Sequence, residues 1–377
     1  MSRSISVAVN MLWCVPGQVG GSEEYLLRQL SGLASFGSPY DITVYAPRGF
    51  RSAHPDLASI HRVVEAPSTC HRRAVRIALE HTWLRRQCAP SRLVHHGGGT
   101  LPSWSYQPTL LTVHDVQYLT YPEYFSVHKL RYLRNRVPSS IARASVVAVP
   151  SAYVAKTLVE SFAVSPEKIQ VVRHGVAASL GAQATPEAEL RTRFGLGSAE
   201  VLFMPAITHP HKNHDFLIQL LASRWTALNL RVVFAGAEGR AESALIQLIA
   251  DLGVGDRVVR VGRVGANDRD GLIKMALAVV FPSSYEGFGA PLLEAMMLGT
   301  PVIASDQTSI PEVLGGAGLS LPLQIEAWSG ALDTLRSRRS ELIELGKRRA
   351  AEFTDVKSAE DLCLAYERAL SRGSDRQ

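Results

Sequence analysis

Two carboxylates, Glu286 and Glu294, flank seven residues in YEGFGAPLLEAMMLG, residues 285–299. Between them lies the glycine turn Gly287-Phe288-Gly289. Pro291 fits the first turn of a helix and Gly299 its end. The apolar run 276–281 ahead of the turn reads as a buried strand. A strand, a glycine turn and a helix start together make an anion site, because backbone N–H groups without intrahelical partners point outward there. Acids beside such a site repel bare phosphate but suit sugar hydroxyls as acceptors. The implied ligand carries both phosphate and hydroxyls, as a nucleotide sugar does.

The elements that must position these groups follow from hydrophobic patterning. SISVAVNML, YDITVYAP, RLVHHGGG, TLLTVHDV, ASVVAVPS and IQVVRHGV read as strands, with helices such as GSEEYLLRQLSGLASFG between them. A polar, small-residue stretch at 177–186 interrupts the pattern. It restarts with VLFMPAI, RVVFAGA, RVVRVGRV, LAVVFPSS and TPVIASD. Strands alternating with helices imply parallel sheets covered on both faces, here in two successive Rossmann-like, doubly wound α/β domains. The expected division is 1–175, 176–357 and a final amphipathic helix within 358–377.

EGFGAPLLEAMMLGTPVIAS, followed by IPEV, resembles the signature of retaining glycosyltransferases of family 4. These enzymes have the GT-B fold, two Rossmann-like domains facing across a cleft. The resemblance implies that Glu294 holds the ribose hydroxyls and Glu286 the transferred sugar. It places the backbone N–H groups of Gly287, Phe288 and Gly289 against sugar oxygens and phosphate, and Glu312 in the helix behind the site. GGSE matches the family's GG-x-E segment at Gly20, Gly21 and Glu23, so the loop 16–22 would approach the donor diphosphate. Glycine suits that approach because no Cβ blocks it. His114-Asp115 resembles the family's HD segment, with His114 toward the reacting sugar. Lys212 matches the diphosphate-binding lysine, whereas Thr208 or a neighbour stands where an arginine is common. His209, His211 and Arg173 are candidate substitutes. Val264 would border the base through its backbone, with Arg263 on the surface. His174 replaces the usual asparagine before glycine-valine, and the final helix would return to the first domain. His95 and His96, before three glycines at a strand end, are a candidate acceptor-side element.

The resemblance therefore implies a metal-independent, retaining transferase without a cofactor; no convincing DxD element occurs. His114, Glu286 and Lys212 are its candidate catalytic residues. The segment HDVQYLTYPEYFSVHKLRYLRNR resembles members that build bacterial polysaccharides from GDP-mannose, with a glycan or lipid-linked acceptor. Alternatives are a UDP-sugar transferase, a GT-B nucleotide-sugar epimerase and an inactive sugar-nucleotide-binding partner subunit. A nicotinamide dehydrogenase is disfavoured because no G-x-G-x-x-G follows a strand.

Composition bounds the setting. The 377 residues, 46% hydrophobic and 20% charged, describe a globular chain without a run long enough to span a bilayer. The apolar start is short and broken by Ser6 and Asn10, and reads as a strand rather than a signal peptide. Four scattered cysteines fit a reducing compartment, so the expected location is cytoplasmic. Residues 1–175 hold 19 Lys+Arg against 10 Asp+Glu, and residues 176–377 hold 21 against 24. The excess sits in HRRAVRIALEHTWLRRQ and HKLRYLRNR, read as helices that either present a solvated face or attract anionic lipid at the inner face of the membrane. Nucleic acid is not an expected partner, since no binding motif accompanies the charge.

Overall fold

The computed structural model describes residues 4–17, 20–104, 108–226 and 228–374, and shows two compact units. Unit 1 is Met1–Gly175 with Thr354–Gln377, and unit 2 is Val176–Phe353. The chain re-enters unit 1 at Thr354, so 354–357 belong there and not with the second domain. Gln18 and Val19 of the first glycine loop lie outside the described residues.

Unit 1 holds seven parallel strands: β1 Ile5–Asn10, β2 Tyr40–Ala46, β3 Arg62–Glu65, β4 Leu93–His96, β5 Thr109–Thr112, β6 Val146–Val149 and β7 Ile169–Val171. Their order is β3-β2-β1-β4-β5-β6-β7, with Val7 opposite Leu93 and Val94 opposite Thr109. β4, β5 and β6 are buried along their whole length, as strands covered by helices on both faces must be. The helix Gly21–Phe36 follows β1, and left-handed Gly37 ends it by donating to the Leu33 and Ala34 carbonyls. The helix Asp355–Ser374 packs on Gly21–Phe36 and sends Leu362, Tyr366 and Ala369 into the core. Gly32 permits this contact, since a Cβ there would sit 2.6 Å from the Asp355 carbonyl oxygen.

Unit 2 holds six parallel strands: β8 Glu200–Met204, β9 Leu230–Ala235, β10 Val258–Gly262, β11 Ala278–Phe281, β12 Val302–Ser305 and β13 Leu319–Leu321. Their order is β10-β9-β8-β11-β12-β13. β8, β11 and β12 are therefore adjacent at the centre, and the loops leaving their carboxyl ends lie side by side. Ligands bind at that edge of open parallel sheets.

β3 and β13 were not expected; each is a short edge strand without an uninterrupted buried run. The first basic stretch is two helices, Arg73–His81 and Trp83–Cys88, broken at Thr82. Arg136, the last residue of the second stretch, serves the fold: from the helix Val127–Arg143 it donates to the Leu101 carbonyl, as does Arg143 beyond the stretch. Among the described residues no helix is long and apolar enough to cross a membrane.

Candidate functional site

In unit 2 the loops after β8, β11 and β12 are stitched together by hydrogen bonds. The Ser284 N–H donates to the His211 carbonyl at 2.8 Å, and Asn213 Nδ2 donates to the Pro282 carbonyl at 2.8 Å. The Glu286 N–H donates to Thr308 Oγ1 at 3.0 Å. Ser309 Oγ lies 3.0 Å from the carbonyl oxygens of both Glu286 and Phe288. Asn213 and Thr308 both adopt positive φ, 53° and 56°. Such backbone costs energy outside glycine and persists only where its surroundings hold it.

This frame brings two candidate residues 74 positions apart into direct contact. Lys212 Nζ lies 2.5 Å from Glu286 Oε1, with the side chains 17% and 12% exposed. The ammonium also stands 5.3 Å from the centre of the Phe281 ring at the end of β11. Gly289 precedes the helix Ala290–Met297 with φ 101°, a conformation that glycine adopts without a Cβ penalty. Phe288 turns its ring into the core against Phe353, so only its backbone is suited to a ligand. Glu294 lies one turn into the helix, its side chain 5% exposed, with Arg269 Nε 3.7 Å from Oε2. Val264 follows β10 and packs on the core, in the loop entering the helix Ala266–Met275. Glu312 sits in the first turn of the helix Ile310–Leu314, where its carbonyl accepts from Arg349.

The structure narrows what can replace the family's arginine. Thr208 is buried; its hydroxyl donates to Glu242 and accepts from the Gly239 N–H at 2.7 Å, tying the loops after β8 and β9. Burial, reinforced by the Lys212 charge, lowers the His211 pKa to about 3, so the ring is neutral at pH 7 and brings no countercharge. Arg173 belongs to unit 1 and binds Asp361 through Nε at 3.0 Å and Nη2 at 3.3 Å. His209 stacks on His211 with ring centres 5.8 Å apart.

In unit 1, His114 follows β5 and its Nε2 lies 2.8 Å from the Gly97 carbonyl, so this nitrogen carries the proton. Burial lowers its pKa, favouring neutral imidazole. The rings of Trp13 and Tyr25 stand 5.7 and 5.4 Å away. His174 packs against the same Tyr25, with ring centres 4.4 Å apart and planes tilted by 42°. Gly20 and Gly21 begin the helix after β1, and a Cβ on either would meet nothing within 4 Å. Packing within the protein therefore does not demand glycine there. His95 and His96 are core residues, not an acceptor loop. His95 bonds the hydroxyls of Tyr366 and Thr112, and His96 bonds Asn10.

Sequence reasoning missed Arg269, Asn213, Thr308 and Ser309. Asparagine is enriched at positive φ, so Asn213 carried a residue-type signal, whereas threonine at 308 did not. Ser309 also had a signal, standing directly before IPEV, and Arg269 meets Glu294 only through helix packing.

The profile described as Glycosyl transferases group 1 matches residues 188–347, and that described as Glycosyltransferase Family 4 matches residues 19–180. The chain belongs to the GT-B glycosyltransferases. O-antigen chain mannosyltransferase B of Escherichia coli is 27% identical over 230 residues. O-antigen chain mannosyltransferase RfbU of Salmonella typhimurium is 30% identical over 227 residues. Each match spans 60% of this chain and 60% of the relative. MMP alpha-(1->4)-mannosyltransferase of Mycolicibacterium hassiacum is 32% identical over 64% of this chain and 57% of its own. The family member thus resembles bacterial mannosyltransferases. Its fold matches Anabaena HepE, solved with UDP and glucose, at a TM-score of 0.75 and 18% identity over 96% of this chain and 99% of that one. Sucrose-phosphate synthase from Thermosynechococcus elongatus gives 0.77 and 19% over 96% and 98%.

Proposed function

We propose that this protein is a retaining, metal-independent glycosyltransferase that moves mannose from GDP-mannose to a glycan or lipid-linked acceptor in polysaccharide biosynthesis. The Lys212–Glu286 contact carries this reading, because it puts a cation for departing diphosphate beside an acceptor for sugar hydroxyls. As the donor bond breaks, the sugar gains oxocarbenium character and the diphosphate gains charge. Lys212 and the N-terminus of the helix Ala290–Met297 stabilise that charge, an effect strengthened where water is sparse. Glu286 holds the transferred sugar, Glu294 the ribose, and Val264 the base through its backbone. The N–H groups of Gly287, Phe288 and Gly289 face sugar and phosphate oxygens, and Gly20 and Gly21 leave room for diphosphate. Neutral His114 is a hydrogen-bond partner for a sugar hydroxyl. Retention follows from front-face attack, with the leaving phosphate taking the acceptor proton.

A donor panel tests this with mass spectrometry of the products. GDP-mannose with a lipid-linked acceptor is expected to give a hexosylated product at a rate unchanged by EDTA. Product from UDP-sugars alone overturns the mannose assignment, and loss with EDTA overturns metal independence. An epimerised free nucleotide sugar identifies an epimerase. Absence of turnover with every donor, matching Glu286→Gln, identifies a binding subunit.

The same reading places the protein on the cytoplasmic membrane face. Arg72, Arg73, Arg85, Arg86, Arg131 and Arg134 are exposed along the two basic stretches, and Val127 is 79% exposed beside them. Binding to anionic vesicles is expected to weaken as salt rises from 0.05 to 0.5 M, where the screening length falls from roughly 14 Å to about 4 Å. Salt-independent or absent binding in a sedimentation assay rejects membrane contact.

A further inference from the structure

We infer that Arg269 is a positioning residue for nucleotide binding, acting through the Glu294 carboxylate. The inference rests on the reading of Glu294 as the ribose acceptor. The residues meet across two helices: Arg269 lies in Ala266–Met275 and Glu294 in Ala290–Met297. Arg269 Nε stands 3.7 Å from Glu294 Oε2. The guanidinium is itself held, with Nε 3.1 Å and Nη2 3.0 Å from Asp270 Oδ1. Asp270 is anchored in turn, since its Oδ2 accepts the Gly181 N–H at 2.9 Å. A chain of contacts thus runs from the backbone at Gly181 through Asp270 and Arg269 to Glu294.

The arrangement meets a physical need. A carboxylate with 5% of its side chain exposed has lost most of its water, and an uncompensated buried charge is costly. Arg269 places a cation at ion-pair distance from that carboxylate, shared with the closer Asp270 carboxylate, rather than in a short bidentate clamp. It limits the rotation of the carboxylate, and an oriented acceptor gives a ligand hydroxyl more affinity than a mobile one. Arginine at 269 is therefore expected to influence recognition of the ribose without touching it.

The test measures calorimetric affinity for GDP and 2′-deoxy- and 3′-deoxy-GDP, with UDP and its deoxy analogues in parallel. Wild-type protein is expected to lose about tenfold or more on removal of the hydroxyl that Glu294 accepts, the usual size for a hydrogen bond to a charged group. Arg269→Met is expected to bind the ribonucleotide about tenfold more weakly and to discriminate little against the deoxy form. Arg269→Lys restores part of that discrimination, which a purely structural role does not predict. Thermal unfolding of each variant confirms that it folds. Wild-type discrimination retained by Arg269→Met, with discrimination lost in Glu294→Gln, overturns the inference and leaves the ribose assignment standing. Discrimination retained by Glu294→Gln, or absent from the wild type, overturns the ribose assignment and the inference with it.

Discussion

Replacing Lys212 by Ala is expected to lower kcat/KM by about a hundred- to a thousand-fold, or ~3–4 kcal/mol of transition-state stabilisation. On the proposed reading the charge removed stabilises the departing diphosphate, and three candidate substitutes do not replace it. His211 is neutral, Thr208 is engaged with Glu242 and Gly239, and Arg173 is paired with Asp361 in unit 1. The substitution also leaves Glu286 without a cation 2.5 Å away. Glu286→Gln keeps the shape and removes the charge, and should cost a comparable factor. The two losses should not add, because residues in contact commonly couple by about 0.5–3 kcal/mol. Lys212→Arg restores charge but not the compact ammonium, so its recovery is expected to be partial. The comparison requires kinetics for both single variants and the double variant, with thermal unfolding as the fold control. A Lys212→Ala enzyme within about threefold of wild type would remove the proposed role.

Acidification should destabilise unit 1 well before its carboxylates titrate. Burial lowers His95 and His96 to about 3 each, whereas an unfolded histidine titrates near 6.5. The folded pKa lies below the unfolded one, so between these values the unfolded chain binds the extra protons. Stability is thus greatest above about pH 6.5 and falls as pH decreases. Each histidine contributes a slope approaching ~1.4 kcal/mol per pH unit, and the pair on the order of 3 kcal/mol between pH 7 and pH 5. The measurement is the urea midpoint of the first unit against pH. His95→Gln, which can still bond the hydroxyls of Tyr366 and Thr112, should remove one histidine's share of the slope. A midpoint equal at pH 7 and pH 5 would show that these rings are not buried in neutral form.

These expectations rest unevenly on the sequence. Eleven of the thirteen strands were readable as apolar runs, the central ones because a strand covered on both faces must be apolar along its length. β3 and β13, edge strands with one buried residue each, escaped, although the edge strands β7 and β10 were readable. The turn 287–289 was readable because glycine, proline and the two acids act over short range. The pair His95-His96 misled for a related reason. Histidines before glycines suggest a ligand loop, yet hydrogen bonds from Tyr366, Thr112 and Asn10 make them core residues.

Local patterning encodes two doubly wound domains, the strand–turn–helix that carries Glu286 and Glu294, and the place of Lys212 after a strand. Periodicity and turn chemistry are local, so neighbouring residues suffice to encode them. Folding selects which polar groups meet: Lys212 with Glu286, Arg269 with Glu294, and Thr208 with Glu242. It also leaves His211 neutral. Those outcomes depend on packing between strands and helices remote in the chain and on the water that packing excludes, and neither is written in the residues on either side.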